Sequence, residues 1–304
     1  MARRLKTTGK ERFIDYYKQF FGSKKEMGKF LYDLESRNNP ILRFHPSAEE
    51  VLKAMWKEAK LPWKTLKWFP YALEWPKDVP PKTLLPGANE HLFYPMNSSS
   101  LLPVLALDIK GDESVLDACA APGGKALFLS HLLDNGKLTA NDSSFDRVRR
   151  MRGIFKDHHV KNAEVWSKPG ATIFKSFPEQ FDKILVDAPC SAEKHVWNSA
   201  KYLDQWTARR VKDNTYRQIS LLSGLFLALK PGGRMVYSTC AFTPDENEEV
   251  VEKLLKKKKD QIKLIKFNPK TPGHPGLGGM KKVWRVYPEN NMDPMFVALF
   301  EKKA

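Results

Sequence analysis

The sequence predicts an α/β protein with a doubly wound, mostly parallel sheet, preceded by a small α+β region. Three observations lead to this prediction. From residue 92 onwards, apolar runs of strand length alternate with segments of helical apolar spacing. A turn of small residues, Asp117–Lys125, connects one such run to a helical segment. Before residue 92 the order differs, with two helices followed by a strand, a third helix and an extended segment.

The main domain supplies the elements of the sheet. A short helix over 101–107 precedes seven strand candidates and four longer helices. The strands are predicted at 114–119, 137–142, 163–166, 183–187, 234–239, 262–267 and 295–300, and the helices at 124–134, 144–156, 213–229 and 244–259.

The N-terminal region is predicted to form a separate small module. Residues 1–36 carry two apolar faces broken at Gly22-Ser23, which indicates two amphipathic helices. A strand is predicted at 41–44 and a capped helix follows it. The proline-rich segment 76–86 connects this module to the main domain. We therefore divide the chain into residues 1–90 and 91–304.

Composition limits the kind of protein. The net charge is +16 over 304 residues, which fits either a basic soluble protein or one with a polyanionic partner such as nucleic acid. Three cysteines are too few for a disulfide framework, and no apolar run reaches membrane-spanning length. We expect a protein of the cytoplasm, or of mitochondria if the source is eukaryotic.

The turn Asp117–Lys125 indicates a ligand site. A strand that enters a helix through Gly-Gly forms a nucleotide-sized cleft at the carboxyl edge of such a sheet. The turn is too short for a Walker loop and lacks the GxGxxG pattern. Asp142 ends the second strand and suits either the hydroxyls of a ribose or the cap of the next helix. Arg147, in that helix, faces either the ligand or solvent.

Two cysteines follow two strands that should be neighbours. Cys190 comes after the strand 183–187 and Cys240 after the strand 234–239. One such cysteine is most simply a small buried hydrophobe, but two at one sheet edge indicate paired chemistry. Their separation is not the CxxC spacing of a zinc or thioredoxin site, so no metal is expected.

Together the motifs resemble a known family. The segments DACAAPGGK, DAPCS and KPGGRMVYSTC are similar to those of the NSUN (Nol–Nop–Sun) RNA cytosine-5 methyltransferases, as are the helix 213–229 and the segment MNSSSLLP. The resemblance covers about 92–300. It implies a class I methyltransferase with a Rossmann-like, seven-stranded sheet that uses S-adenosylmethionine. A looser likeness over 38–75 implies that the region 1–90 binds RNA and that 91–304 is the catalytic domain.

The resemblance also assigns roles to residues. It implies that Cys240 adds to C6 of cytosine, which makes C5 nucleophilic, and that Cys190 assists release of the adduct. Asp187 and Lys125 would contact the base. The cofactor would be bound by a larger set: Cys119, Ala120, Ala121, Pro122, Gly123, Gly124, Lys125, Asp142, Arg147, Gly170 and Asp187.

Two positions depart from the family pattern. Pro169-Gly170 stands where the family has Asp-Gly after the third strand, so the adenine contact must come from elsewhere, such as Lys168 or a backbone carbonyl. Asn97 stands where an Asp is usual. Neither position belongs to the two-thiol chemistry.

The resemblance leaves the RNA open, and we favour ribosomal over transfer RNA. Alternatives are a non-catalytic RNA-binding or ribosome-assembly factor, and a DNA cytosine-5 methyltransferase, which would use only one catalytic thiol. We expect a monomer with no membrane partner; a protein partner that supplies RNA affinity is an alternative. Basic residues expected at phosphates are the lysines of 253–270 and Arg3, Arg4, Lys6, Lys10, Lys24 and Lys25.

Overall fold

Two sheets organise the chain in the computed structural model, which describes residues 7–267, 271–288 and 291–304. Within these residues one sheet has four strands and the other has nine. Arg3, Arg4, Lys6 and Lys270, which sequence reasoning assigned to phosphates, lie outside the described residues.

The four-stranded sheet forms the small module. The chain begins with helices α1 (Gly9–Tyr17) and α2 (Lys24–Glu35), then continues through β1 (Ile41–Phe44), α3 (Glu49–Glu58), β2 (Thr65–Leu66), β3 (Phe69–Glu74) and β4 (Phe93–Met96). The strands are antiparallel in the order β2-β3-β1-β4. The strand β4 therefore pairs with this sheet, although the boundary predicted at residue 90 would assign it to the main domain.

The nine-stranded sheet forms the main domain. Its first half contains α4 (Leu101–Ala106), β5 (Ser114–Asp117), α5 (Gly124–His131), β6 (Lys137–Asn141), α6 (Phe145–Asp157), β7 (Ala163–Trp166) and β8 (Phe181–Asp187). Its second half contains α7 (Glu193–Trp197), α8 (Ala200–Asp204), α9 (Ala208–Ala228), β9 (Leu229–Thr239), α10 (Glu248–Lys258), β10 (Ile262–Ile265), β11 (His274–Pro275), β12 (Trp284–Val286) and β13 (Met295–Lys302).

The strand order is that of a doubly wound sheet. The path is β11-β12-β13-β9-β8-β5-β6-β7, and β10 pairs with β13. Strands β5 to β9 are parallel to their neighbours in this series, whereas β13 is antiparallel to β9 and β10. The predicted fold class is confirmed. The short strands β11 and β12 add two to the seven predicted, because two or three residues among glycines and prolines give no periodic signal.

Apolar side chains cover both faces of the large sheet. Val115 and Leu116 are adjacent in β5 and pack into different clusters, since successive strand residues point to opposite faces. Helices α4, α5 and α6 pack on one face, and α9 and α10 on the other. This arrangement leaves the carboxyl ends of β5, β6, β8 and β9 free to form a site.

The helices α1 and α2 do not pack on the small sheet. Their apolar residues, including Phe13, Tyr17 and Phe30, join a cluster with Trp206 and Phe242 of the main domain. Phe30 and Phe242 have ring centroids 4.5 Å apart. The predicted helical pair thus covers the region that follows the two cysteine-bearing strands.

Candidate active site

The two cysteines meet at the carboxyl ends of neighbouring parallel strands. Asp187, the last residue of β8, is in register with Ser238 of β9. The chain leaves these strands in the same direction, so Cys190 and Cys240 face one another. Their sulfur atoms are 3.1 Å apart, and both residues are free cysteines.

The protonation of Cys190 follows from its surroundings. The contact with Cys240 and partial burial raise its pKa well above the ordinary value for a thiol, and the carboxylates of Glu246 and Glu193 add to this effect. Burial in the same way raises the pKa of Cys119. Cys190 is therefore a neutral thiol at neutral pH, able to donate a proton.

An ion pair connects the Asp117–Lys125 turn to the thiols. Lys125 Nζ lies 2.8 Å from Asp187 Oδ2, and the Ser238 hydroxyl donates to Asp187 Oδ1 at 2.8 Å. Burial alone would lower the pKa of Lys125, but the Asp187 carboxylate outweighs it and the pKa is raised. Lys125 is thus a cation held beside Cys240. Ser238 belongs to the segment KPGGRMVYSTC, but the sequence assigned it no role.

A cavity of about 230 Å³ lies along this turn. Its walls include seven of the predicted cofactor residues: Cys119, Ala120, Ala121, Pro122, Gly124, Lys125 and Asp187. Gly124 has no room for a side chain, because a Cβ there would lie 2.6 Å from Cε1 of Tyr94. Gly123 has φ +123°, which disfavours other residues. The chain thus builds a cleft lined by backbone and small side chains.

Asp117 supplies a buried carboxyl group to this cavity. Its side chain is 0% exposed, and no described group makes a well-formed hydrogen bond to either oxygen. Burial, with the neighbouring Asp187 carboxylate, raises its pKa to about 8 despite the opposing effect of Lys125. This buried carboxyl group would ionise when a cation approaches it, so it fits the ammonium group of an amino-acid ligand such as the methionine part of S-adenosylmethionine. Sequence reasoning named Asp117 only as the start of the turn.

Asp142 and Arg147 lie beside the Asp117–Lys125 turn and form an ion pair with each other. Arg147 Nη1 is 3.1 Å from Asp142 Oδ2, and the Ser144 amide donates to Asp142 Oδ1 at 3.0 Å. Arg147 also donates to the backbone oxygen of Ala121. Asp142 thus holds the segment that leads into α6 but is not its cap, because the N-terminal cap position is Ser144. Neither Asp142 nor Arg147 is among the residues that line the cavity, and the ribose contact of Asp142 stays a prediction.

Gly170 lies in the turn after β7. A Cβ at this position would be 2.7 Å from Cδ1 of Leu221, so the backbone must pass close to α9. Its predicted contact with the cofactor stays a prediction, because the residue does not line the cavity.

Asn141 connects three strand ends. Its side-chain amide donates to the Ala118 carbonyl at 3.1 Å and to the Lys168 carbonyl at 3.0 Å. Its oxygen accepts from the Lys168 amide at 2.9 Å. One buried side chain therefore fixes the spacing of the turns after β5, β6 and β7. The sequence places Asn141 at the end of a predicted strand and gives no sign of these contacts.

A buried pair of glutamates supports the loop that carries Cys190. Glu246 accepts hydrogen bonds from the Ser191 amide, at 3.0 Å to Oε2, and from Gln218 at 2.8 Å. Glu193 accepts from Ser191 Oγ at 3.2 Å and from the Tyr17 hydroxyl of α1 at 2.8 Å. Tyr17 thereby connects the N-terminal helices to the cysteine loop.

These carboxyl groups retain protons more readily than exposed ones. Burial, with the nearby Glu193, raises the pKa of Glu246 to about 7. Burial likewise raises the pKa of Glu193, against hydrogen bonds from Tyr17 and Ser191 that lower it. The pair lies too close together for both members to ionise freely.

A wider cavity of about 710 Å³ opens next to Cys240. Its walls include Arg37 and Lys82 from the N-terminal region, and Lys194 and His195 of α7. Lys194 forms an ion pair with Asp293 at 2.5 Å. The cavity thus combines a free thiol with basic side chains, as a site for an anionic polymer requires. Lys10, Lys24 and Lys25 are exposed on α1 and α2.

Comparison with known proteins identifies the family. A family model described as 16S rRNA methyltransferase RsmB/F matches residues 104–301. The chain belongs to the RsmB/F methyltransferase family. This assignment confirms the resemblance carried by the three sequence motifs, and it covers the turn, both cysteines and every strand from β8 to β10.

Relatives within the RsmB/F group carry two different substrate names. A tRNA (cytosine(49)-C(5))-methyltransferase of Pyrococcus abyssi is 33% identical over 69% of this chain and 70% of its own length. The ribosomal RNA small subunit methyltransferase F of Vibrio campbellii is 36% identical over 66% of this chain. The chain spans only 42% of that Vibrio protein.

A solved structure bears on the fold. The structure of NSun6 from Pyrococcus horikoshii with SFG has a TM-score of 0.81 at 23% identity, and covers 97% of this chain and 98% of that one. The likeness therefore includes the small N-terminal sheet as well as the RsmB/F domain.

The described residues also bear on metal binding and on membrane insertion. Within residues 7–267, 271–288 and 291–304, no group of three or more His, Cys, Asp and Glu side chains is placed to hold a metal ion. In the same part of the chain, no helix combines the length and apolar character needed to cross a bilayer.

Proposed function

We propose that this protein methylates C5 of a cytosine in RNA, with S-adenosylmethionine as cofactor, through a covalent bond between Cys240 and C6 of the base. The observation that carries the proposal is the pair of sulfurs 3.1 Å apart beside the Lys125–Asp187 ion pair. A one-thiol DNA methyltransferase would carry its thiol in the Pro-Cys turn, at Cys190, and would not need Cys240 beside it. An RNA-binding factor without activity would need neither thiol.

The chain's own residues account for the activation of the base. The Cys240 thiolate forms a bond to C6, and the electron pair of the C5–C6 double bond makes C5 nucleophilic. Lys125, a cation 2.8 Å from Asp187, stabilises negative charge that develops on the ring. Asp187 accepts from the base amino group. When bound, S-adenosylmethionine supplies the electrophilic methyl group.

The adduct must then be released. Because Cys190 is a neutral thiol, it donates its proton to the departing Cys240 sulfur and takes the proton that leaves C5. The C5–C6 double bond forms again as the Cys240–C6 bond breaks. Both thiols end the cycle as they began it, apart from the Cys240 proton, which must be lost before the next addition.

The cofactor is held, in this proposal, by the turn and its neighbours. Asp117 accepts from the methionine ammonium group, and the backbone of 119–125 surrounds the methionine part. Asp142, Arg147 and Gly170 lie next to that cavity. Of these, Asp142 reaches a ribose only if Arg147 gives up part of its ion pair. The Lys168 carbonyl, already tied to Asn141, is a candidate for the adenine.

The RNA and its recognition complete the proposal. We favour ribosomal RNA, with transfer RNA as the second class, since relatives carry both names. The region 1–90 binds RNA and 91–304 is catalytic, although the pairing of β4 favours a boundary after Met96. The enzyme acts as a monomer in the cytoplasm or in mitochondria.

The test separates the two thiols. The protein is incubated with radiolabelled cofactor and ribosomal RNA, transfer RNA or a cytosine-containing DNA duplex, and bisulfite sequencing maps the product. We expect Cys240→Ala to abolish methylation and Cys190→Ala to accumulate a protein–RNA adduct that survives denaturation. The double variant should form no adduct. Turnover by Cys240→Ala, or methylation of DNA alone, would contradict the proposal.

A further inference from the structure

A second polar cavity lies between the small sheet and the main domain. Its volume is about 350 Å³, and its walls come from β1, β4, α5, the turn that follows α6 and the segments beside β1 and β4. Tyr94 lines both this cavity and the cofactor cavity, so its ring stands between them. Five of the seven histidines of the chain line it together with one arginine: His45, His91, His131, His158, His159 and Arg43.

Arg43 is a buried cation with no carboxylate beside it. The side chain is 1% exposed, and its Cζ lies 4.9 Å from the ring centre of Phe128. Its Nη1 donates to His131 Nδ1 at 2.9 Å, whereas Nε and Nη2 have no partner in the described structure. Burial lowers its pKa to about 9, against an opposing effect of Tyr94. It therefore keeps its charge at neutral pH.

The histidines respond to that charge. Because Nδ1 of His131 accepts from Arg43, the ring is neutral and carries its proton on Nε2. Burial, with Arg43, lowers the pKa of His131 to about 2. Burial, with His91 and Arg43, lowers the pKa of His158 to about 4, against an opposing effect of Asp157. Glu90 is the one carboxylate that lines the cavity. The cavity thus offers a fixed cation and neutral N–H donors.

We propose that this cavity binds a phosphate group through Arg43 and the surrounding histidine N–H donors. A buried charge without a counter-ion is costly, and an anion at this place removes that cost. The guanidinium fork matches the oxygens of phosphate, and it disfavours a metal cation among the same histidines. The phosphate comes either from the backbone of bound RNA or from free phosphate. The first source rests on the proposed function, and the second does not.

The first experiment uses inorganic phosphate. Thermal unfolding of the full chain is followed as phosphate replaces chloride at constant ionic strength and pH. The matched control is Arg209→Met, which replaces an exposed arginine of α9. Phosphate should raise the Tm of wild type and of this control equally, and it should not raise the Tm of Arg43→Met. An equal phosphate effect in Arg43→Met and wild type would overturn the proposal.

A second measurement does not depend on the variant folding. In wild-type protein with labelled histidine rings, phosphate should shift the signals of His131 and His158 and leave that of His274, outside the cavity, unchanged. Phosphate and RNA are each added at saturating concentration. If neither of them shifts the signals of His131 and His158, the proposed site is refuted.

The RNA arm distinguishes the source. If a backbone phosphate enters the cavity, free phosphate competes with RNA, and Arg43→Met reduces the slope of log affinity against log salt by about 1. If RNA affinity is the same in Arg43→Met while the phosphate effect on Tm is lost, the site takes free phosphate. Failure of wild-type protein to bind RNA would remove the proposed function and leave the Tm result standing.

Discussion

The buried Glu246 carboxyl should make the stability of this protein fall as pH rises. Its pKa in the folded protein is raised from 4.5 to about 7, so the native state holds a proton that the unfolded chain releases. The stabilisation is complete below about pH 4.5 and is lost as pH rises through 7. At about 1.4 kcal/mol per pKa unit, the free energy of unfolding falls by about 3 kcal/mol over this window. Because Glu246 and Glu193 titrate as a pair, that figure is an upper bound.

Substitution of Glu246 by Gln isolates this effect. The amide oxygen can still accept from the Ser191 backbone, and Gln218, whose Oε1 has no partner in the described structure, can turn to accept from the new amide. The variant should therefore fold. Its unfolding free energy relative to wild type should rise by up to about 3 kcal/mol between pH 5 and pH 8.

The assay is urea unfolding at both pH values, with Glu252→Gln on the exposed side of α10 as the matched control. The difference between Glu246→Gln and wild type must grow with pH, whereas the control difference must stay constant. A difference for Glu246→Gln that is the same at pH 5 and pH 8 would refute the reasoning, whatever its sign.

Two other substitutions test the cofactor side of the site. Asp117→Asn keeps the shape but removes the charge that would face an ammonium group. Calorimetry should find that the affinity for S-adenosylmethionine is about 10-fold to 100-fold weaker, while the unfolding free energy of the unliganded protein at pH 7 does not fall. An unchanged affinity would count against the assignment. Asn141→Ala leaves the Ala118 and Lys168 groups unpaired. The substitution Asn141→Ala should lower the unfolding free energy by about 3 kcal/mol, whereas Asn135→Ala, at an exposed asparagine, should change it little. Equal effects of the two substitutions would contradict the bridging role of Asn141.

The parts of the site that could be predicted from sequence lie on strands and their first turns. Asp187, Cys190 and Cys240 follow apolar runs, and the geometry of parallel sheets brings the ends of such runs together. The remainder depends on tertiary contacts. Glu246 lies in the acidic segment Pro244–Glu246, which resembles an exposed helix start, and only the fold buries it under Ser191. Its neighbour Glu193 meets Tyr17 across 176 positions of sequence.

The position of Arg43 in β1 illustrates what the alternation of apolar and polar residues predicted and what it did not. A half-buried strand alternates apolar and polar residues, and an arginine between Leu42 and Phe44 fits that pattern as an outward-facing side chain. All four residues of β1 are buried, because the strand is central in its sheet and the main domain covers the side that Arg43 faces. The alternation therefore marks a real change of face, from the core of the small module to its junction with the main domain. At that junction no described carboxylate pairs with the charged Arg43, and the phosphate experiment tests whether an anion from outside the chain does so.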